Sequence, residues 1–364
     1  MVKRNANVDL FRMIATVFVI ILHVLGQGGI YRNAPMNSIT YHTASFLRIL
    51  TFCAVNCFAL ISGYVMANKN IKLKSIIGLW LNILFYSVLF SGLFFAFMPE
   101  TITLKNLVQA FLPVVTGRWW YISSYFALFF FIPFLNTAIQ YISKQTYTKV
   151  LLVIIVGLCV LDCIIPIDAF YTNEGFSAIW LIILYLFGAY IKKYAINEKI
   201  AAWKGLIGFF VMIILTFASQ LVISALTKIL FGEAKFDGVF ISYISITILF
   251  SAIFLFIFCL NVKLSNFTSK LILFFSPVSL GIFLIHVDPL VYHYLLKDAF
   301  VFLAQKNAVV MLLGVVAATI GIFLVCAIID LLRIQLFKLI RINKLCEFIA
   351  NNIKKVYSKF FENL

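Results

Sequence analysis

The 364-residue chain is 64% hydrophobic and only 12% charged, and 40 of its residues are phenylalanine. A soluble domain cannot hide that much apolar surface, so the composition excludes a water-soluble protein and implies a polytopic membrane protein. The net charge of +16 fits cytoplasmic loops rich in Lys and Arg that meet anionic lipid, and no nucleic-acid partner is expected.

Ten apolar stretches of spanning length follow one another near 10–28, 44–67, 76–98, 119–140, 148–166, 176–191, 205–230, 238–260, 272–295 and 308–332. The expected fold is therefore all-α: about ten transmembrane helices around a central polar cavity, filling residues 1–340. The first stretch reads as a retained span, because no small-residue cleavage site follows it. It carries Arg12 and His23, eleven residues apart. At about 100° per residue, eleven steps close three turns plus roughly 20°, so the two side chains share one helix face about 16 Å apart. Ionisable groups in a span are costly and mark functional candidates, so this face points into protein or a polar cavity.

The fourth stretch contains Pro133, and the ninth is interrupted by Pro277, His286, Asp288 and Pro289. Such breaks are tolerated where a helix borders a cavity. With the N-terminus in the cytoplasm, 20 of the 29 Lys and Arg residues fall on the inside and 8 on the outside, Arg12 being the remaining one. That asymmetry places both termini in the cytoplasm and the chain in a plasma or inner membrane. In the tail, 341–364, Leu345, Phe348, Ile349, Ile353, Val356, Phe360, Phe361 and Leu364 recur at helical spacing against a basic face. The tail is expected as an amphipathic interfacial helix on the cytoplasmic leaflet, with membrane lipid as its partner. Seven cysteines are scattered, including the i,i+4 pairs Cys53/Cys57 and Cys159/Cys163. They read as packing residues, with neither metal-ligand spacing nor a disulfide framework.

Four motifs carry a resemblance. Asp9, Arg12, Ala15 and His23 form an Asp-x-x-Arg, a small residue, and an apolar run ending in His. Phe58-Ala-Leu-Ile-Ser62-Gly63-Tyr64, then Trp119-Trp120-Tyr121 followed by Tyr125 and Pro133, then Ser279-Leu-Gly281-Ile-Phe-Leu-Ile-His286 complete an ordered set. Over about residues 7–335 the chain resembles the integral-membrane acyltransferase type 3 family. Where that family has an Arg-rich entry to the third span, this chain offers Lys72 and Lys74.

The resemblance implies an O-acyltransferase of surface glycans that uses an acyl-CoA, most simply acetyl-CoA, as donor substrate with no tightly bound cofactor. Arg12 would then meet the phosphates of coenzyme A, helped by the field of Lys72 and Lys74; the plainer alternatives are a snorkelling Arg and ordinary positive-inside lysines. His23, whose imidazole has an unperturbed pKa of about 6.5, would act as base or as acyl carrier. Asp9 stands three residues before Arg12 and can pair with it. His286 would bind acceptor, orient His23, or serve structure alone. Trp120 and Tyr121 would stack on a sugar ring or belong to an interfacial belt. Ser62 is a candidate acceptor contact, although Ser-Gly at a helix interface also permits close packing. Two other readings are a transporter of a small solute gated by Arg12 and His23, and an inactive binding or sensing member of the same fold.

Overall fold

A computed structural model describes residues 4–161, 168, 170–233 and 238–361 of the chain, and no strand occurs among the described residues. Cys163, Lys235 and Leu364 lie outside them, as do the side chains of Phe360 and Phe361. The principal helices are α1 (Ala6–Leu25), α2 (Ile39–Thr51), α3 (Ala54–Met66), α4 (Leu73–Phe97), α5 (Trp120–Tyr141), α6 (Lys144–Ile154), α7 (Ala178–Lys193), α8 (Ala202–Phe231), α9 (Ile246–Asn261), α10 (Asn266–Phe275), α11 (Ser279–His286), α12 (Ala308–Leu339) and α13 (Ile342–Phe361). Their starts are written into the sequence. Asn5, Ser38, Ser143, Ser177, Ser265 and Asn307 each accept a backbone N–H of the first turn, satisfying a donor that lipid cannot.

Among the described residues, seven helical segments are long and apolar enough to cross a membrane: 6–33, 39–66, 73–97, 120–141, 202–231, 266–286 and 308–339. The expected count of about ten is not reached by this measure. Two of the other three stretches are helical but short: α7 and α9 have 16 residues each, about 24 Å against a hydrocarbon core of about 30 Å. The third, α6, runs on through a π-turn at Ile155–Val160 before leaving the described residues.

Burial sorts the helices into inner and outer members. In the most apolar part of 39–66, 67% of the residues are buried, and 50% in that of α1, against 22% for α8 and α12. The first two therefore form the centre and the last two present broad apolar surface outward. Phe11 of α1 stacks on Phe256 of α9 at 4.5 Å. Helices α3 and α7 meet backbone to backbone: a Cβ at Gly63 would stand 2.0 Å from the Tyr185 carbonyl oxygen, and one at Gly188 2.1 Å from that of Leu60. Small residues are required where helices approach this closely.

The ninth stretch is broken as expected. Helix α11 ends at His286, Asp288 leaves helical geometry, and Pro289 opens a new turn capped by the Asp288 carboxylate. The tail helix α13 docks on α4 through Ile77, Cys346 and Ala350, with Leu73, Leu81, Ile342 and Ile349 around them. Lys74 of α4 pairs with Glu347 at 2.9 Å. The apolar stripe foreseen for the tail is thus divided: Ile349 faces protein, while Leu345, Phe348, Ile353 and Val356 are exposed.

Candidate active site

Helix α1 supplies both ends of the site. Near its start, Asp9 is buried and pairs with Arg12 and with Arg4, the latter at 2.9 Å. Both guanidiniums also donate to Ser276 Oγ, at 2.9 Å from Arg4 and 3.2 Å from Arg12. Two cations share one carboxylate, so this end keeps an excess positive charge. The Arg12 side chain remains 30% exposed, open to an anion.

Three helical turns on, His23 sits in an aromatic nest. Its ring centroid lies 5.3 Å from that of His286 and 5.1 Å from that of Tyr292, which meets it edge-on. The buried Nδ1 of His23 has no hydrogen-bond partner, nor has Nε2 of His286. The other nitrogen of His286, Nδ1, donates to the Ile282 carbonyl at 2.6 Å; a carbonyl only accepts, so the proton is on Nδ1 and Nε2 offers a lone pair in the neutral ring. Buried ring nitrogens left without partners belong where a polar ligand group or a moving proton is to be handled.

A cavity of about 600 Å³ joins the two ends. Arg12, Ser62, Tyr125 and Ser279 line it together with His23, and so do Arg48, Phe52, Trp120, Phe176, Tyr243 and Tyr292. In the Arg12 half, Ser62 Oγ is held by the Phe58 carbonyl at 3.0 Å and by Tyr125 OH at 3.1 Å. The other half is an aromatic box: Phe52 on Tyr243 at 4.8 Å, Trp120 on Phe176 at 4.7 Å, and Phe176 on Tyr243 at 4.9 Å. Buried Asn56 fixes it, accepting from Trp180 Nε1 at 2.9 Å and donating to the Tyr243 carbonyl at 2.8 Å.

The structure brings Arg12, His23, Ser62, Trp120 and Tyr121 to one cavity. Asp9 and His286 stand behind it, the first holding Arg12 and the second against the His23 ring. Lys72 and Lys74 do not reach it: both are exposed, and Lys74 is engaged with Glu347 on the tail. Among the described residues no group of three or more His, Cys, Asp or Glu is placed to hold a metal ion.

Two buried ion pairs escaped the sequence reading. Arg118, just before the Trp pair, donates to Asp288 through Nε at 2.9 Å and Nη2 at 3.0 Å, and to Ser91 Oγ at 2.9 Å. This pair ties the start of α5 to the break beside His286 and so braces the turn that carries Tyr292. The second is Asp330, fully buried, which accepts from Tyr86 OH at 2.6 Å and from Arg333 at 2.8 and 2.9 Å. Gly281 makes room for it, since a Cβ there would lie 2.0 Å from the carboxylate carbon. A family model described as an acyltransferase domain matches residues 5–331 of the chain. No curated protein and no solved structure matches it.

Proposed function

Because the chain belongs to the acyltransferase type 3 family over nearly its whole length, we propose that it is a multi-pass membrane enzyme moving an acetyl group from cytoplasmic acetyl-CoA to a hydroxyl of a surface or lipid-linked glycan. The observation that carries this reading is the single cavity lined by Arg12 and, three turns deeper, by His23. Arg12, left with excess positive charge by its shared Asp9, binds the donor's phosphates. The pantetheine arm then runs along the α1 face and delivers the thioester to the imidazole.

The acceptor hydroxyl enters from the opposite, aromatic half. His23 takes its proton as the oxygen attacks the thioester carbon. A C–O bond forms, the C–S bond breaks, and the departing thiolate takes the proton from His23, leaving an O-acetyl ester and coenzyme A. His286, whose Nδ1 proton is committed to Ile282, orients the His23 ring from behind. Covalent carriage of the acyl group by His23 is the other order of events, and labelled acyl-enzyme trapped without acceptor distinguishes it. The charge asymmetry supports an inner or plasma membrane with both termini cytoplasmic.

The test compares ester-linked acetate on surface glycans in cells with the gene, without it, and with His23→Ala. Loss of the ester in both deficient strains is expected. Unchanged esters with altered solute uptake would instead identify a transporter. Unchanged esters and uptake would identify a non-catalytic member of the family.

A further inference from the structure

Seven arginines occur in the chain. Arg4, Arg12, Arg32, Arg118 and Arg333 each meet an aspartate, and Arg341 is exposed where the tail begins. Arg48 differs from all of these. It is half-buried in the last turn of α2, lines the cavity that holds His23, and has no carboxylate partner among the described residues. Its contacts are aromatic: the guanidinium carbon lies 4.9 Å from the Tyr31 ring centroid and 5.5 Å from that of Phe52.

Ring faces hold a guanidinium in place but accept none of its five N–H groups. The carbonyls ending α2 offer at most about half a unit of negative charge. A fixed cation is therefore presented, without a counter-charge, beside Phe52, Tyr243, Phe176 and Trp120. Aromatic faces take the apolar faces of sugar rings; a planar fork of donors takes a carboxylate or a phosphate.

We propose that Arg48 is a specificity residue that selects an acceptor sugar carrying a negative charge, as a ring carboxylate or a phosphate ester close to the hydroxyl to be acylated. This rests on the acyl-transfer reading and adds the class of acceptor. The charge also sets direction: Arg12 captures the anionic donor at one end and Arg48 the anionic acceptor at the other, so the two substrates are sorted by end and meet at His23.

The test uses the full chain in lipid nanodiscs with acetyl-CoA and three probes: a neutral trisaccharide, its uronic-acid counterpart and its phosphorylated counterpart. Transfer is measured, and binding of each probe is followed separately by tryptophan fluorescence, since Trp120 lines the box. One charged probe is expected to be preferred over the neutral one. Arg48→Gln should cut that preference about tenfold, the scale of one hydrogen bond to a charged group, with Arg48→Lys intermediate. Whichever charged probe wins names the carboxylate or the phosphate as the recognised group. Equal use and equal binding of charged and neutral probes overturns the proposal. So does an Arg48→Gln effect on the KM of acetyl-CoA in place of the acceptor, which would put donor phosphates at this end. Arg48-dependent binding of a charged probe with no acetyl transfer would leave the anion site standing and remove the acyl-transfer reading instead.

Discussion

The Arg118–Asp288 pair gives a prediction whose size follows from its geometry. Both side chains are sealed from solvent, 1% and 0% exposed, and Arg118 spends two of its three side-chain hydrogen bonds on Asp288. Asp288→Asn keeps the volume and the cap on Leu290 but removes the counter-charge and replaces one of the two oxygens that accept from Arg118 by an NH2 donor. Breaking a buried pair from one side costs about 3–5 kcal/mol. Arg118→Gln strands the carboxylate and should cost the same order. The double variant removes both charges at once and should lose well less than the sum of the single losses, with a coupling energy of about 2 kcal/mol or more. Equilibrium unfolding of the four proteins in mixed micelles reads this directly. Additive losses, within about 0.5 kcal/mol, would refute the idea that these two charges answer each other inside the protein.

Gly63→Ala would push a methyl onto the Tyr185 carbonyl, a backbone atom that cannot swing away, and should lower stability by about 1–3 kcal/mol, read as a lower thermal midpoint. Ser62→Ala should reduce turnover less than about tenfold, because its hydroxyl is already tied to Phe58 and Tyr125, whereas loss of a general base at His23→Ala should cost about a hundredfold or more. The hydrogen bond and charge of Lys74 hold the Glu347 carboxyl below its usual range. The stabilisation of tail docking is therefore complete above the ordinary glutamate pKa of about 4.3 and is lost as pH falls below it; hydrogen exchange over 342–361 should quicken there, Glu347→Gln should abolish the pH dependence, and salt should weaken an exposed pair like this one.

The parts of this molecule legible in the sequence are those that lipid dictates. A bilayer forces backbone bonds inward and side-chain polarity into view, so α1 and its Arg12–His23 face follow from spacing alone. The break after His286 was legible for the same reason: Asp288 and Pro289 cannot continue an apolar helix. Long-range pairing was not. Nothing local says that Arg118 answers Asp288 across 170 residues, or that Gly281 is small because Asp330 lies against it. Arg48 was not legible either, because its lack of a carboxylate partner becomes visible only once Arg4, Arg12, Arg32, Arg118 and Arg333 have found theirs. Nor does a charge near a span end tell which side of the helix it leaves from, so the pairing of Lys74 with Glu347 on the tail was not legible either.

Donor truncation tests the shared passage from Arg12 to His23 most directly. Acetyl-CoA carries the nucleotide phosphates and acetyl-pantetheine does not, while both present the same thioester. In reconstituted protein, Arg12→Gln should raise the KM for acetyl-CoA by about tenfold or more and leave acetyl-pantetheine untouched, whereas His23→Ala should stop transfer from both. An equal penalty from Arg12→Gln on the two donors would contradict the account, because the guanidinium would then be acting on something other than the phosphates of the donor.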